Sequence, residues 1–187
     1  MPINDEESLR KFIKDDADRQ HLYAAVGKVA SNWAAFEHML HSSLWVFAKV
    51  GDEAGACLTS QIPGPGRALD AFVSLVRMHG GDDALIKTIN QFAEKTRGLG
   101  DKRNRAVHDS WNWDRETGNP YRLEISARKR IVMGPQPTSL SDMNTLVDQI
   151  ADHIEAFELV VARVERQLGT AAGICFRPTS PPAPRDI

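Results

Sequence analysis

The sequence predicts an all-α protein, an antiparallel helical bundle with a small β-hairpin before the last long helix. Three observations carry this expectation. Apolar residues recur at steps of three and four over long stretches. Glycine and proline clusters punctuate those stretches. Only one region, around residues 110–126, has the composition of paired strands.

The first helix is expected from about Asp5 to Lys49, with a break near Asp18. Its stripe is Val26, Val29, Trp33, Phe36, Leu40, Leu44 and Phe47. Glu37 falls on the same side, and a carboxylate beside an apolar stripe needs a partner if it is buried. Gly51 and Gly55 mark its stop, and Gln61-Ile62-Pro63-Gly64-Pro65-Gly66 reads as a loop. A shorter helix follows from about Arg67 to His79, with Leu69, Phe72, Val73 and Val76 inward. Gly80-Gly81 ends it, and Asp82 suits the N-cap of the next helix.

That next helix carries Leu85, Ile89, Phe92, Thr96, Leu99, Arg103 and Ala106 at successive steps of three or four. The stripe therefore assigns Arg103 to the core side. Gly98 and Gly100 weaken the helix by up to about 1 kcal/mol each relative to Ala, or admit another backbone closely. Residues 110–114 and 121–126 then read as two strands around a polar turn, the second continuing towards Val132. Gly134-Pro135-Gln136-Pro137 is expected to break the chain.

Ser139 with Asp142 three residues later starts the last helix in the manner of a capping box. Its stripe is Leu146, Ile150, Ile154, Phe157, Val161, Val164 and Leu168. Residues 1–170 form the expected single domain. Residues 171–187 form a tail, with Pro178, Pro181, Pro182 and Pro184 in its last part.

Composition bounds the function classes. A chain of 187 residues with 42% hydrophobic and 26% charged content can bury a core. A formal net charge of −2 provides no global attraction to nucleic acid, so any such contact depends on a local patch. Cys57 and Cys175 are the two cysteines, and their spacing suggests neither a disulfide framework nor a zinc site. The acidic, polar start and the lack of a long apolar run point to a cytoplasmic protein without a membrane segment.

The chemistry concentrates in Lys102-Arg103-Asn104-Arg105-Ala106-Val107-His108-Asp109. In a helix, Asn104 and His108 lie about 40° apart and share a face, while Arg103 sits about 100° from Asn104. Arginine is long enough to converge on the same spot. A neutral His can take a proton from a ribose 2′-hydroxyl or give one to a leaving oxygen. An Arg guanidinium can hold a phosphate, and an Asn can orient the imidazole. The trio suits attack on a phosphodiester and requires neither a metal nor a cofactor.

Arg103-Asn104-Arg105-Ala106-Val107-His108 resembles the Arg-polar-spacer-His signature of the HEPN superfamily, the higher eukaryotes and prokaryotes nucleotide-binding domain. The Trp33–Glu37 run together with this segment also looks like a group of bacterial proteins related to that superfamily. The resemblance implies an all-helical, HEPN-like bundle that forms a homodimer, with the Arg and His at the dimer interface. It implies a metal-independent endoribonuclease in defence or toxin–antitoxin biology, with RNA and an antitoxin or other protein as partners. His108 is then the general acid/base, Arg103 the phosphate clamp and Asn104 the orienter, with Glu37 in support and Lys102 and Arg105 on the RNA. Family members that bind partners or nucleotides without cutting RNA supply the alternative, a non-catalytic interaction module.

Plainer roles stand beside these. Arg103 can pair with Glu37 across two helices as a purely structural ion pair. His108 can serve as a helix C-terminal cap favoured by the dipole. His38 and His41 lie one turn apart, but without the HExxH order beside Glu37 they make a weak metal site. Lys95, Arg97, Lys102, Arg103, Arg105 and the 128–130 run form either a local basic surface or an ordinary solvated face. Trp111 and Trp113 point to one side of their strand, which favours packing over base stacking.

Overall fold

Two helix starts, those at Asp82 and Ser139, follow the capping chemistry closely. Asp82 accepts a hydrogen bond from Leu85 N at 2.8 Å, and Ser139 and Asp142 cap each other reciprocally. These bonds satisfy backbone donors that the first turn of any helix leaves unpaired. The computed structural model describes residues 6–114, 116–127 and 131–169, with side chains from Ala17 onward. Its elements are α1 (Glu6–Ala48), α2 (Asp52–Thr59), α3 (Gly64–Met78), α4 (Asp83–His108), β1 (Ser110–Trp113), β2 (Pro120–Ser126), β3 (Val132–Pro137) and α5 (Leu140–Leu168). The protein is mostly helical, with a small three-stranded antiparallel sheet. The tail expected over 171–187 and the basic run 128–130 lie outside the described residues.

Several expectations need correction. α1 runs through Asp18 without a break, because that residue is exposed and neither Gly nor Pro interrupts the ladder there. It stops at Lys49, whose left-handed φ of 57° turns the chain before Gly51 is reached. Gly55 is no terminator. It sits inside α2, buried, where any Cβ would collide with the Trp45 ring. The loop at 64–66 is the first turn of α3, which tolerates Pro65 because the opening amides need no intrahelical acceptor.

The hairpin is the first part of a larger sheet. β3 pairs with β2 from Tyr121↔Pro137 to Ser126↔Val132, so Gly134–Pro137 is a strand and not a break. Both prolines are accommodated because β3 is an edge strand. Gly134, at φ 152°, occupies backbone space that side-chain-bearing residues avoid.

The core lies between α1, α3, α4 and α5, and each contributes one phenylalanine to its centre. Phe157 meets Phe36, Phe72 and Phe92 at centroid separations of 5.7, 5.9 and 5.4 Å. Such ring pairs add about 0.5–1.5 kcal/mol each beyond the burial of their area. On α1 the buried line begins earlier than the sequence suggests, with Leu22 and Ala25, while Val26 is half-buried. On α5, Ile154 gives way to His153 as the buried residue. Among the described residues, no helix is long and apolar enough to cross a membrane.

Candidate active site

The last turn of α4 is held from three directions. Trp111 Nε1 donates to the Ala106 carbonyl at 2.9 Å, taking one of the acceptors that a helix end leaves open. Asp109, the C-cap, accepts from Arg105 at 3.2 Å and from Arg122 of β2 at 2.9 Å. Arg122 reaches on to Thr138 Oγ1 at 3.1 Å. The Asp109 side chain is 7% exposed, so this clamp sits where screening by water is weak. Trp113 packs edge-on to Tyr23 and lies under the Arg19 guanidinium at 5.0 Å. Both tryptophans therefore serve packing, and they anchor the sheet on the helices.

On that turn Arg103, Asn104 and His108 converge. Arg103 Nη1 donates to Asn104 Oδ1 at 3.0 Å and lies 3.4 Å from His108 Nε2. A guanidinium has no acceptor, so Nε2 meets it with its lone pair, and a neutral ring then carries its proton on Nδ1. Arg103 is half-buried while Asn104 and His108 are exposed. The arginine thus starts from the core side of α4 and bends its head outward, across the face that Asn104 and His108 share. Its Nε is buried without a hydrogen-bond partner.

Glu37 does not form the expected ion pair with Arg103. Its Oε1 accepts from Trp33 Nε1 at 3.0 Å, four residues back on the same helix. Glu37, Arg103 and Asn104 nevertheless line one cavity of about 520 Å3, closed on other sides by Trp33, Thr96 and the Gly64–Gly66 turn. Gly100 lets α4 approach this wall, since a Cβ there would stand 3.3 Å from the Trp33 ring.

Lys102 and Arg105 point elsewhere. They line a second cavity of about 430 Å3 with Arg122 and Gln149, and Lys102 Nζ donates to Gln149 at 3.0 Å. Arg97 lies on the first cavity, tied to Glu94 at 2.6 Å. The basic residues of α4 are thus divided between its two sides.

The Asp109 clamp was half legible, because Arg105 stands four residues before it on the helix. Arg122 gave no local signal. His153 was missed entirely. It stacks on Phe92 at 4.2 Å, and its Nε2 lies 2.9 Å from Thr96 Oγ1. Thr96 gives its own proton to the Phe92 carbonyl, so the imidazole is the donor in this pair. Burial, with help from the charge of Lys95, pushes the His153 pKa down to about 4. His41 is also lowered, chiefly by burial, against the opposing pull of Glu37. Among the described residues, no group of three His, Cys, Asp or Glu side chains is placed to hold a metal ion.

Comparison with family models, curated proteins and solved structures finds no match.

Proposed function

We propose that this chain is a HEPN-type, metal-independent endoribonuclease acting as a homodimer, in a defence or toxin–antitoxin setting. The observation that carries the reading is the single Arg103 Nη1 that spans Asn104 and His108 on the exposed end of α4. His108 Nε2 is the base for a ribose 2′-hydroxyl once Arg103 Nη1, which its lone pair meets in the free protein, turns to the phosphate. It takes that proton while the 2′-oxygen attacks phosphorus and the 5′-oxygen departs with a proton from solvent or a second acid. The products are a 2′,3′-cyclic phosphate and a 5′-hydroxyl. Arg103 holds the imidazole through Nη1 before RNA binds and is the phosphate clamp afterwards; Asn104 steadies the guanidinium. Glu37 supports the site from the cavity wall, and Lys102 and Arg105 offer positive charge to RNA on the flanking side of α4.

A second reading is a non-catalytic interaction or nucleotide-binding module. Leu123, Ile125, Ile131 and Met133 favour it, since they leave apolar surface exposed on and beside β2 and β3. An antitoxin or other protein is the partner such a surface suits.

Cleavage of a mixed RNA pool without added metal, wild type against His108→Ala, decides between them. Cleavage by wild type alone, leaving cyclic phosphate ends, is the expected result. Two folded proteins that both leave the RNA intact overturn the ribonuclease and favour the interaction module.

A further inference from the structure

The cavity beside Arg103 and Asn104 carries acceptors and donors that the proton transfer at His108 does not itself engage. Its α1 wall presents the Glu37 carboxylate, half-buried and an acceptor when ionised. Trp33 Nε1 takes one lone pair of Oε1, which fixes the carboxylate before any ligand arrives. The rest of Oε1 and all of Oε2 remain to accept. The α4 wall presents Asn104, whose Oδ1 is already held by Arg103. That bond settles which end of the amide is which, so the free end is the Nδ2 donor pair. At the edge lies the Gly64-Pro65-Gly66 turn, where a Cβ on either glycine would meet open space. Gly64 also needs its positive φ of 73°. A planar ligand can therefore lie against backbone there.

We infer that this cavity binds guanine, the base of the nucleotide next to the scissile phosphate, with Glu37 as the residue that selects it. The inference rests on the ribonuclease reading for the nucleotide as ligand. Of the four bases, guanine alone sets two adjacent donors, N1–H and N2–H, beside an acceptor, O6. A carboxylate accepts both donors side by side. The Asn104 amide, or an opening amide of α3, supplies the donor for O6. Adenine and cytosine each turn a ring-nitrogen lone pair towards the carboxylate, and uracil flanks its one donor with two acceptors. Each of these leaves a charged oxygen facing a lone pair, a mismatch that polar sites reject strongly. The volume of about 520 Å3 lies within the usual range for small-ligand pockets. Trp33 is almost wholly buried, so the base is read by its edge and not by stacking on that ring.

The test is equilibrium dialysis of the full chain with guanosine, inosine and adenosine 3′-monophosphates, wild type against Glu37→Gln. Glutamine keeps an oxygen for Trp33 Nε1, so the wall stays intact. Wild type is expected to hold the guanosine nucleotide at least tenfold tighter than the adenosine one, with inosine between. Glu37→Gln is expected to remove that order. Equal binding of guanosine and adenosine nucleotides by wild type, or an unchanged order in Glu37→Gln, overturns the inference. Mapping the cut sites in the RNA pool separates this failure from that of the ribonuclease. Cleavage with no preference for G at the cut sinks the pocket and leaves the nuclease standing. Selective guanosine nucleotide binding without any cleavage supports the pocket and sinks the nuclease.

Discussion

Arg103 Nη1 stands 3.4 Å from His108 Nε2, although the two residues leave α4 in directions about 140° apart. The long arginine side chain closes that gap by crossing over Asn104, which accepts from the same nitrogen. One nitrogen thereby sets both the imidazole and the amide.

Replacing Arg103 by lysine keeps the charge but loses the planar fork. Metal-free RNA cleavage by Arg103→Lys is expected to fall about a hundredfold, the scale of a misplaced acid/base or phosphate contact. Thermal melting should move by only a few degrees, since the arginine head is turned towards solvent-exposed partners. Cleavage at the wild-type rate would remove Arg103 from the chemistry.

His153 makes stability depend on pH in a definite direction. Its pKa drops from 6.5 to about 4 on folding, because the buried ring resists charging. Above pH 6.5 the ring is neutral in both states and its full contribution is present. Between pH 6.5 and 4 the unfolded chain takes up a proton that the folded chain refuses, so stability falls as pH drops. The loss is on the order of 2–3 kcal/mol. Urea unfolding of wild type and His153→Phe at pH 7.5 and 4.5 should show the wild type losing more by that amount. Equal losses would assign the acid sensitivity to other groups.

Two glycines in α4 should respond oppositely to alanine. A Cβ on Gly98 meets nothing within 4 Å, so Gly98→Ala should stabilise the protein by about 0.5–1 kcal/mol through helix propensity. At Gly100 the new methyl would stand 3.3 Å from the Trp33 ring, whose indole holds Glu37. Gly100→Ala should therefore gain nothing or lose stability. Urea midpoints of the two variants check this, and an equal gain at both sites would contradict the packing described at Trp33.

Much of the scaffold was legible because its causes are local. Periodic apolar residues, the Asp82 cap, the Ser139–Asp142 box and the Gly80-Gly81 stop all act within about four residues of chain. The errors came where local and distant effects compete. Gly55 reads as a breaker until Trp45 fills the space above it. Gly134–Pro137 reads as a break until β2 supplies the partner strand. His153 reads as polar surface until Phe92 and Thr96 stack and bond to it, and Ile154 is then turned partly outward.

By itself, then, the sequence determined the long helical stretches of α1, α4 and α5 and most of α3, but not α2, and that Arg103, Asn104 and His108 leave one helix within two turns. Only the tertiary structure decided what those side chains meet. It gave Glu37 to Trp33 and Arg103 to His108, sent Lys102 and Arg105 to the other side of α4, and brought Arg122 from the sheet to Asp109. The physical reason is range. Helix periodicity and capping are settled between near neighbours in the chain. The aim of a long charged side chain depends on which distant walls close around it and which acceptors they bring.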